Sequence, residues 1–413
     1  MHRSAALGLL LLALLIGCSS PTSSSSSAPS APILTVAGTG LSKTVTISAP
    51  GESLYYTTDG TTPTTNSLSY SAPIIVAGFG VTRTISAVAV ASGTSSSVST
   101  KTVTINSFAS PLSLAATVST FAGSATASGS TDATGASARF FGPEGMTTDG
   151  TNLYVADSGN NEIRKIVIAT GVVTTLAGST GGGFLDGTGT AALFNSPNDV
   201  TTDGVNLYVT DGANTRIRKI VIATGVVTTL AGSSTAGTAD NTTGTLATFR
   251  RPFGITTDGT NLYVSDSDTA ANNIRQIVIA TGAVTTLVPT STTPALNFPA
   301  GLTTDGTNLY VADYNDSTIR KVVIAGGAQS TLATVAGSNP YPWGITSDGT
   351  NLYVADSGTG FNAISKIVIS GGAQSTLALT GTALSTPGGL ITDGVHLFVS
   401  NDGATDNSIR KIQ

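Results

Sequence analysis

Charged residues and the side chains that bind metals are scarce in this chain of 413 residues. Only 10% of the residues are charged, against about 25% in an ordinary soluble domain. A single cysteine excludes an intrachain disulfide and a thiolate metal centre, and two histidines, His2 and His396, cannot build a metal site from several imidazoles. The net charge of −5 offers no basic surface to offset phosphate charge, so we expect no nucleic-acid partner.

Strong helix formers are also rare. The chain has three glutamates and two methionines, whereas Gly, Ser, Thr and Val are abundant. Val, Ile, Thr and Tyr suit the pleated surface of a sheet, so the composition predicts an all-β protein. The length allows two or three domains, each with its own hydrophobic core.

The N-terminus carries a targeting pattern. After Arg3 an apolar run extends as far as Gly17. This run is too short for a permanent membrane span and is typical of a signal peptide. The letters LIGC that end at Cys18 resemble the lipobox of bacterial lipoproteins. This resemblance implies a signal peptide over residues 1–17 and a lipid on Cys18, which would become the mature N-terminus. An ordinary secretory signal with an incidental cysteine is the alternative.

The residues that follow Cys18 predict a location and a tether. Ser19 and Ser20, and no acidic residue, directly follow Cys18. By resemblance to the lipoprotein family, this favours the outer membrane or surface of a bacterial cell envelope. Residues 18–32 are almost all Ser, Pro, Ala and Thr, which predicts a flexible segment. We therefore expect the lipid at Cys18 to attach the protein to a membrane.

Residues 33–106 show period-two strands separated by turns. The predicted strands are Thr44 to Ser48, Ser53 to Thr57, Ile74 to Ala77, Thr84 to Ala91 and Thr100 to Ile105. The motif YYTTDG from Tyr55 to Gly60, with Pro63, resembles the immunoglobulin-like domain appended to chitobiases and β-hexosaminidases. That resemblance implies an accessory β-sandwich without catalytic residues, and a glycan contact at Tyr55 is the alternative. Residues 107–116 are predicted to be a linker.

The rest of the chain repeats itself. TDGTNLYVAD occupies residues 148–157 and again residues 304–313, and near copies bring the total to six. The first repeat predicts four strands: Gly145 to Thr148, Asn152 to Ala156, Ile163 to Ile168 and Val172 to Ala177. Four short strands in about 43 to 55 residues match a propeller blade, which must stack on neighbours to bury both faces.

The strand count predicts how the ring closes. The first three strands occur six times and end at Ile412, but the fourth follows only five of them. The missing copy, Val118 to Gly123, precedes the first repeat, so we expect it to complete the last blade and remove an open edge. The sequence thus predicts a six-bladed β-propeller closed by an N-terminal strand. Residues 117–413 resemble the NHL-repeat family, whose linker signature begins here at Asp186 and is degenerate at Asp132 and Asp240.

Most repeated polar residues are predicted to be structural. Six Asp-Gly pairs occupy tight turns between the first and second strands: Asp149, Asp203, Asp258, Asp305, Asp348 and Asp393. The aspartate after the second strand precedes an arginine in four repeats, which predicts cross-hairpin ion pairs: Asp157 with Arg164, Asp211 with Arg218, Asp266 with Arg275 and Asp313 with Arg320.

The repeats differ most on one face. The loops between second and third strands and the connections between repeats vary, whereas the Asp-Gly turns do not. After the proline that begins each first strand the residues also differ, and these positions would surround the mouth of a central channel. The candidate ligand-binding residues are Glu144, Asn198, Asp199, Phe253 and Trp343. Carboxylates opposite aromatics suit a hydroxylated ligand or a cation, and neutral drift in exposed loops is the alternative.

These residues favour binding over catalysis. The sequence shows no nucleophile–base pair, and a lone His396 in the repeats excludes a multi-histidine metal site. We therefore predict a non-catalytic binding or scaffolding protein with a protein or glycan ligand, and no catalytic residue or cofactor is assigned. The alternative is a Ca²⁺-dependent hydrolase resembling the lactonases, with Glu144, Asn198 and Asp199 as a partial ligand set.

Overall fold

A computed structural model of the chain describes residues 27–38, 42–77, 81–105, 111–337, 340–358, 361–403 and 406–413. In these ranges the regular structure is strand, apart from single 3-10 turns at Gly135–Ser137, Ser158–Asn160, Gly189–Ala191, Gly212–Asn214 and Gly244–Leu246. The predicted all-β class is confirmed. No helix in this part of the chain is long and apolar enough to cross a membrane. The predicted signal peptide, Cys18 and the tether as far as residue 26 lie outside the described residues.

The first folded unit contains two small sheets that share one core. One sheet has the order β1-β2-β5, with β1 at Ile33–Ala37, β2 at Ser42–Ser48 and β5 at Ile74–Ala77. The other contains β3 at Ser53–Thr57, β4 at Leu68–Ser69, β6 at Thr82–Ala91, β7 at Thr94–Ser95 and β8 at Ser99–Thr104. Val45, Val76, Ile85 and Val103 pack between the sheets. The sequence pattern does not predict β1, because this edge strand leaves most of its side chains exposed.

The remaining described residues form six antiparallel sheets of four strands joined in chain order. The first has β10 (Pro143–Thr148), β11 (Asn152–Asp157), β12 (Glu162–Val167) and β13 (Val173–Gly178). The second has β15 (Pro197–Thr202), β16 (Asn206–Asp211), β17 (Arg216–Val221) and β18 (Val226–Ala231), with β14 (Gly187–Thr188) added at its edge. The third has β19 (Pro252–Thr257), β20 (Asn261–Ser267), β21 (Asn272–Val278) and β22 (Val284–Val288).

The other three sheets follow the same pattern. The fourth has β23 (Pro299–Thr304), β24 (Asn308–Asp313), β25 (Thr318–Val323) and β26 (Gln329–Thr334). The fifth has β27 (Pro342–Ser347), β28 (Asn351–Gly358), β29 (Phe361–Val368) and β30 (Gln374–Thr376). The sixth has β32 (Pro387–Thr392), β33 (Leu397–Asp402), β34 (Asn407–Ile412) and β9 (Thr117–Ser124), with β31 (Thr380–Gly381) parallel to β9.

The predicted closing strand is present. β9 pairs with β34 in antiparallel register, with Val118 opposite Ile412 and Ala122 opposite Ile409. The strand before the first repeat therefore completes the sheet formed by the last repeat, as the strand count predicts. Each sheet buries apolar side chains against the next, and its first strand contacts the first strands of its neighbours, including β10 with β32. This arrangement is consistent with a β-propeller.

Two faces of this assembly are distinguished by their loops. The turn face carries the Asp-Gly turns, and the linker face carries the loops after the second strands and the connections between sheets. The first folded unit lies against the turn face, where the Thr82 amide donates to the Asp258 carbonyl at 2.8 Å and Arg83 forms an ion pair with Asp203. In the predicted linker, residues 107–110 lie outside the described ranges, and Leu112 is buried against the fifth and sixth sheets.

Candidate functional site

The Asp-Gly aspartates stabilise their own turns. Asp149 Oδ1 accepts a hydrogen bond from the Asn152 amide at 2.7 Å, and its Oδ2 accepts one from the Tyr154 hydroxyl at 2.9 Å. The same tyrosine contact recurs in the next four sheets, at Asp203, Asp258, Asp305 and Asp348. In the sixth sheet His396 replaces the asparagine, and its Nδ1 lies 3.0 Å from Asp393 Oδ2. These contacts support the structural interpretation of the set.

The predicted Asp–Arg pairs form in the first three sheets. Arg164 lies 2.8 Å from Asp157, and its second terminal nitrogen lies 2.7 Å from Asp132 of the preceding connection. The same double contact joins Arg218 to Asp211 and Asp186, and Arg275 to Asp266 and Asp240. The prediction is wrong for Asp313 and Arg320. Arg320 instead donates to Thr331 and to the Pro294 carbonyl, because the fourth connection lacks the linker aspartate.

In each first strand the residue after the proline lies at the mouth of the channel. At the next residue, the backbones of the six strands form a narrow collar around the channel axis. Five of the six first strands have glycine here, and a Cβ atom on Gly301 would lie 2.5 Å from the Trp343 carbonyl oxygen. Real Cβ atoms do not approach this closely, so the collar requires glycine where neighbouring strands meet. The six first strands line a cavity of about 80 Å³.

Asp199 takes the glycine position in the second sheet. Its Oδ1 accepts the Val200 amide at 2.8 Å, and its Oδ2 accepts the Ile255 amide of the third sheet at 3.0 Å. Burial raises the pKa of this carboxyl to about 7, although both amide hydrogen bonds oppose the shift. Asp199 thus lies in the channel wall with both oxygens occupied.

Glu144 lies at the mouth with an unsatisfied carboxylate. The residue is half-buried, and its Oε2 atom is shielded from solvent and has no hydrogen-bond partner among the described residues. The pKa of Glu144 is raised to about 8, mainly by burial and also by the charges of Asp402 and Asp199, while the Arg251 charge opposes the shift. An unpaired buried carboxylate is costly, so this site favours a group that donates to it or neutralises it.

Asn198 and Phe253 are buried, whereas Glu144 and Trp343 at the mouth are half-buried. The Asn198 amide nitrogen donates to the Pro252 carbonyl at 2.8 Å, which joins the second and third sheets. Phe253 is 4% exposed and its ring meets that of Trp343 edge-on, with centroids 4.8 Å apart. Both residues therefore support the mouth, and neither presents most of its side chain to a ligand.

Trp343 belongs to an aromatic wall formed with Phe298, Tyr314 and Tyr341. The centroids of Tyr314 and Trp343 are 5.3 Å apart, and Tyr314 stacks on Tyr341 at 4.8 Å and 19°. Phe298 joins the wall through Tyr314, with centroids 5.6 Å apart. All four rings are half-buried. The fourth and fifth sheets thus present an aromatic surface at the mouth.

The partial calcium set does not fit the geometry. Asn198 donates its Nδ2 to the Pro252 carbonyl and both Asp199 oxygens accept backbone amides, which leaves Glu144 and the Asn198 Oδ1 atom as the oxygens without an assigned partner among the three residues. Calcium takes six to eight oxygen ligands. Among the described residues no group of three or more His, Cys, Asp or Glu is arranged to hold a metal ion.

Sequence comparison misses four residues of this site: Phe298, Tyr314, Tyr341 and Asp402. The signal was present, since Tyr314 and Asp402 occupy the residue after the repeated ten-letter motif, where other repeats have Ser or Gly. Phe298 and Tyr341 directly precede the proline whose following residue singles out Trp343. Comparing three positions per repeat instead of one would have found all four.

Comparisons with known proteins agree with this architecture. A family model described as "Fn3 associated" matches residues 44–103. NHL repeat-containing protein 2 of Homo sapiens is 31% identical over 163 residues, covering 36% of this chain and 22% of that protein. The Gallus gallus protein is 35% identical over 97 residues, covering 23% and 13%. The chain thus spans less than a quarter of the length of the curated relatives that it matches.

Two solved structures from Bacteroides thetaiotaomicron share the fold. A protein of unknown function has a TM-score of 0.55 and 17% identity, covering 92% of this chain and 97% of that one. An auxiliary nutrient binding protein has a TM-score of 0.52 and 12% identity, covering 93% and 97%. The relatives and these structures together support a β-propeller protein of the NHL-repeat type.

Proposed function

We propose that this chain is a lipid-anchored binding or scaffolding protein of a bacterial cell envelope, and that its linker face takes a protein or glycan ligand. The repeats form six blades, closed by the pairing of β9 with β34. The preceding unit is an immunoglobulin-like spacer. The lipid at Cys18 and the tether hold both at the outer membrane or cell surface.

The observation that carries this proposal is the difference between the two faces. The turn face has nearly the same residues in every repeat, and its aspartates accept hydrogen bonds within their own turns. The spacer lies against this face at Asp203 and Asp258. The linker face combines the unsatisfied Glu144 with the aromatic wall at Trp343. Concave sites with aromatic walls and a few polar groups are the usual binding sites of proteins.

Site-specific photo-crosslinking in intact cells tests which face binds. A photoreactive amino acid at Asn315, exposed on the linker face, is compared with one at Thr307, exposed on the turn face. We expect ligand adducts from position 315 and none from 307, and Trp343→Ala should reduce them. Adducts from position 307 alone, or equally from both positions, would overturn the assignment of the linker face.

A further inference from the structure

We propose that the mouth binds a protonated amine, an alkylammonium group whose N–H donates to Glu144 and whose carbon chain lies against Trp343 and Tyr314. This inference deepens the proposed function and rests on it. Three features carry the argument: an acceptor without a donor, a surplus of negative charge, and an aromatic wall on the far side of an open gap.

The acidic side of the mouth, which consists of Glu144, Asp402 and Asp199, needs both a hydrogen-bond donor and a positive charge. Glu144 Oε2 is buried and accepts no hydrogen bond from the described residues. Asp402, on the loop of the sixth sheet, and Asp199, at the collar, add negative charge close to it. Arg251 is the cation that faces Glu144, but it is exposed and its guanidinium lies over Phe253, 5.7 Å from the ring centroid. Oε2 therefore has no cationic donor among the described residues.

The opposite side offers the apolar and π surface that an alkylammonium group prefers. Trp343 is held at its edge by Phe253 and by Tyr314, so its orientation is fixed before a ligand arrives. Tyr341 in turn fixes Tyr314 by stacking. A cation within about 6 Å of such a ring gains roughly 0.5 to 2 kcal/mol.

The sixth sheet leaves space between the two sides. Gly388 stands at the mouth position between Glu144 of the first sheet and Trp343 of the fifth, and it has no side chain. A Cβ atom there would lie 4.0 Å from Trp343 Cδ1 and 3.0 Å from Ser400 Oγ, which itself donates to the Glu144 carbonyl at 2.7 Å. A ligand above Gly388 would therefore lie beside Trp343 and beside Ser400, which is bonded to the backbone of Glu144.

Other ligand classes satisfy fewer of these features. A metal ion would lack a ligand set, since no group of three or more His, Cys, Asp or Glu among the described residues is arranged to hold one. A quaternary ammonium has no N–H for Glu144 Oε2. A neutral hydroxyl would donate but would leave the negative charge uncompensated. A protonated primary or secondary amine meets the acceptor, the charge and the wall together.

Binding of a matched pair of compounds to the full chain tests the inference. Nα-acetyl-lysine methylamide carries the amine, and its Nε-acetyl derivative has the same chain without the charge. Trp343 is the one tryptophan of the sequence, so its fluorescence reports binding at this site. At a pH near 8 we expect the amine to bind at least about tenfold more tightly than the acetylated compound.

Glu144→Gln should remove that preference, because the amide keeps the shape and loses the charge. The matched control is Glu162→Gln, the other glutamate of the repeats, which is buried beside Arg164 and away from the channel. This control should keep the preference, and thermal melting of both variants verifies folding. Equal binding of the two compounds, or an unchanged preference in Glu144→Gln, would overturn the amine assignment. Ligand crosslinks at position 315 would then still support the proposed function.

Discussion

Arg83 of the first folded unit and Asp203 of the second sheet form an ion pair in which both side chains are largely buried, 11% and 1% exposed. Burial alone would raise the pKa of Asp203, but the Arg83 charge and the amides of Asn206 and Val205 outweigh it and hold the pKa below its ordinary value. The pair, together with the bond from Thr82 to Asp258, fixes the spacer on the turn face.

Arg83→Ala should release the spacer from the propeller. Removing one partner of a buried ion pair leaves the other charge unpaired and costs about 3 kcal/mol. We expect faster limited proteolysis between residues 105 and 117 and a lower melting temperature of the spacer. Lys101→Ala, an exposed cation on β8, is the control and should change neither. Identical proteolysis of the two variants would show that the ion pair does not hold the units together.

Deleting residues 118–123 should destabilise the whole propeller. Without this strand β34 keeps β33 but loses its other antiparallel partner, and the sixth sheet gains an open edge. The free energy of unfolding should fall for all six sheets at once, as measured by denaturant titration and by hydrogen exchange. Deletion of residues 28–30, which precede the first strand, should leave it unchanged. Local fraying of the sixth sheet alone would contradict closure by this strand.

Cys18→Ala should move the protein from the membrane fraction to the soluble fraction. The prediction follows from the resemblance of LIGC to a lipobox, since a lipid on Cys18 would be the anchor. The melting temperature should not change, because the composition of the tether predicts a flexible segment. Mutant protein that still sediments with membranes at high salt would place the anchor elsewhere.

Trp343→Ala should weaken ligand binding at least about tenfold, because a central aromatic anchor contributes about 2 kcal/mol or more. The aromatic contacts with Phe253 and Tyr314 imply a cost in folding as well, of about 1 kcal/mol. Tyr56→Ala, which removes an aromatic pair with Tyr70 in the spacer, is the control for a stability effect without a binding effect. Calorimetry separates the two quantities, and equal affinities in both variants would remove the mouth from consideration.

The sequence predicts the repeats well because each strand has the same alternation and each turn the same Asp-Gly pair. It predicts the partner of Arg164 correctly at Asp157, since both lie in one hairpin. The sequence does not predict the hydrogen bond from Asn198 to the Pro252 carbonyl, because it does not distinguish an exposed asparagine side chain from a buried one. The sequence does not predict the contact of Arg83 with Asp203 either. A single arginine in an alternating strand has the pattern of a solvated surface charge.

Glu144 should contribute to the pH dependence of the free energy of unfolding. Its pKa is about 8 in the folded chain and about 4.3 in an unfolded one, so the folded state holds the proton more tightly. The free energy of unfolding should therefore fall as pH rises from about 4.3 to 8 and then become level with respect to this group. Glu144→Gln should abolish that part of the decline and leave the parts due to the other carboxyls with raised pKa values, which include Asp199 and Glu162 at about 7 and Asp157 and Asp313 at about 6. Denaturant titration of both proteins between about pH 4 and pH 9 measures the difference.

An amine ligand should reverse this trend, since it binds the ionised carboxylate and releases its proton. Affinity for Nα-acetyl-lysine methylamide should rise by up to about tenfold per pH unit below pH 8, while the amine itself stays protonated up to about pH 10. Calorimetry in buffers of different ionisation enthalpy measures the proton released. Binding with no proton release at pH 7, and with the same affinity at pH 6 and pH 9, would show that Glu144 is not the group that receives the amine.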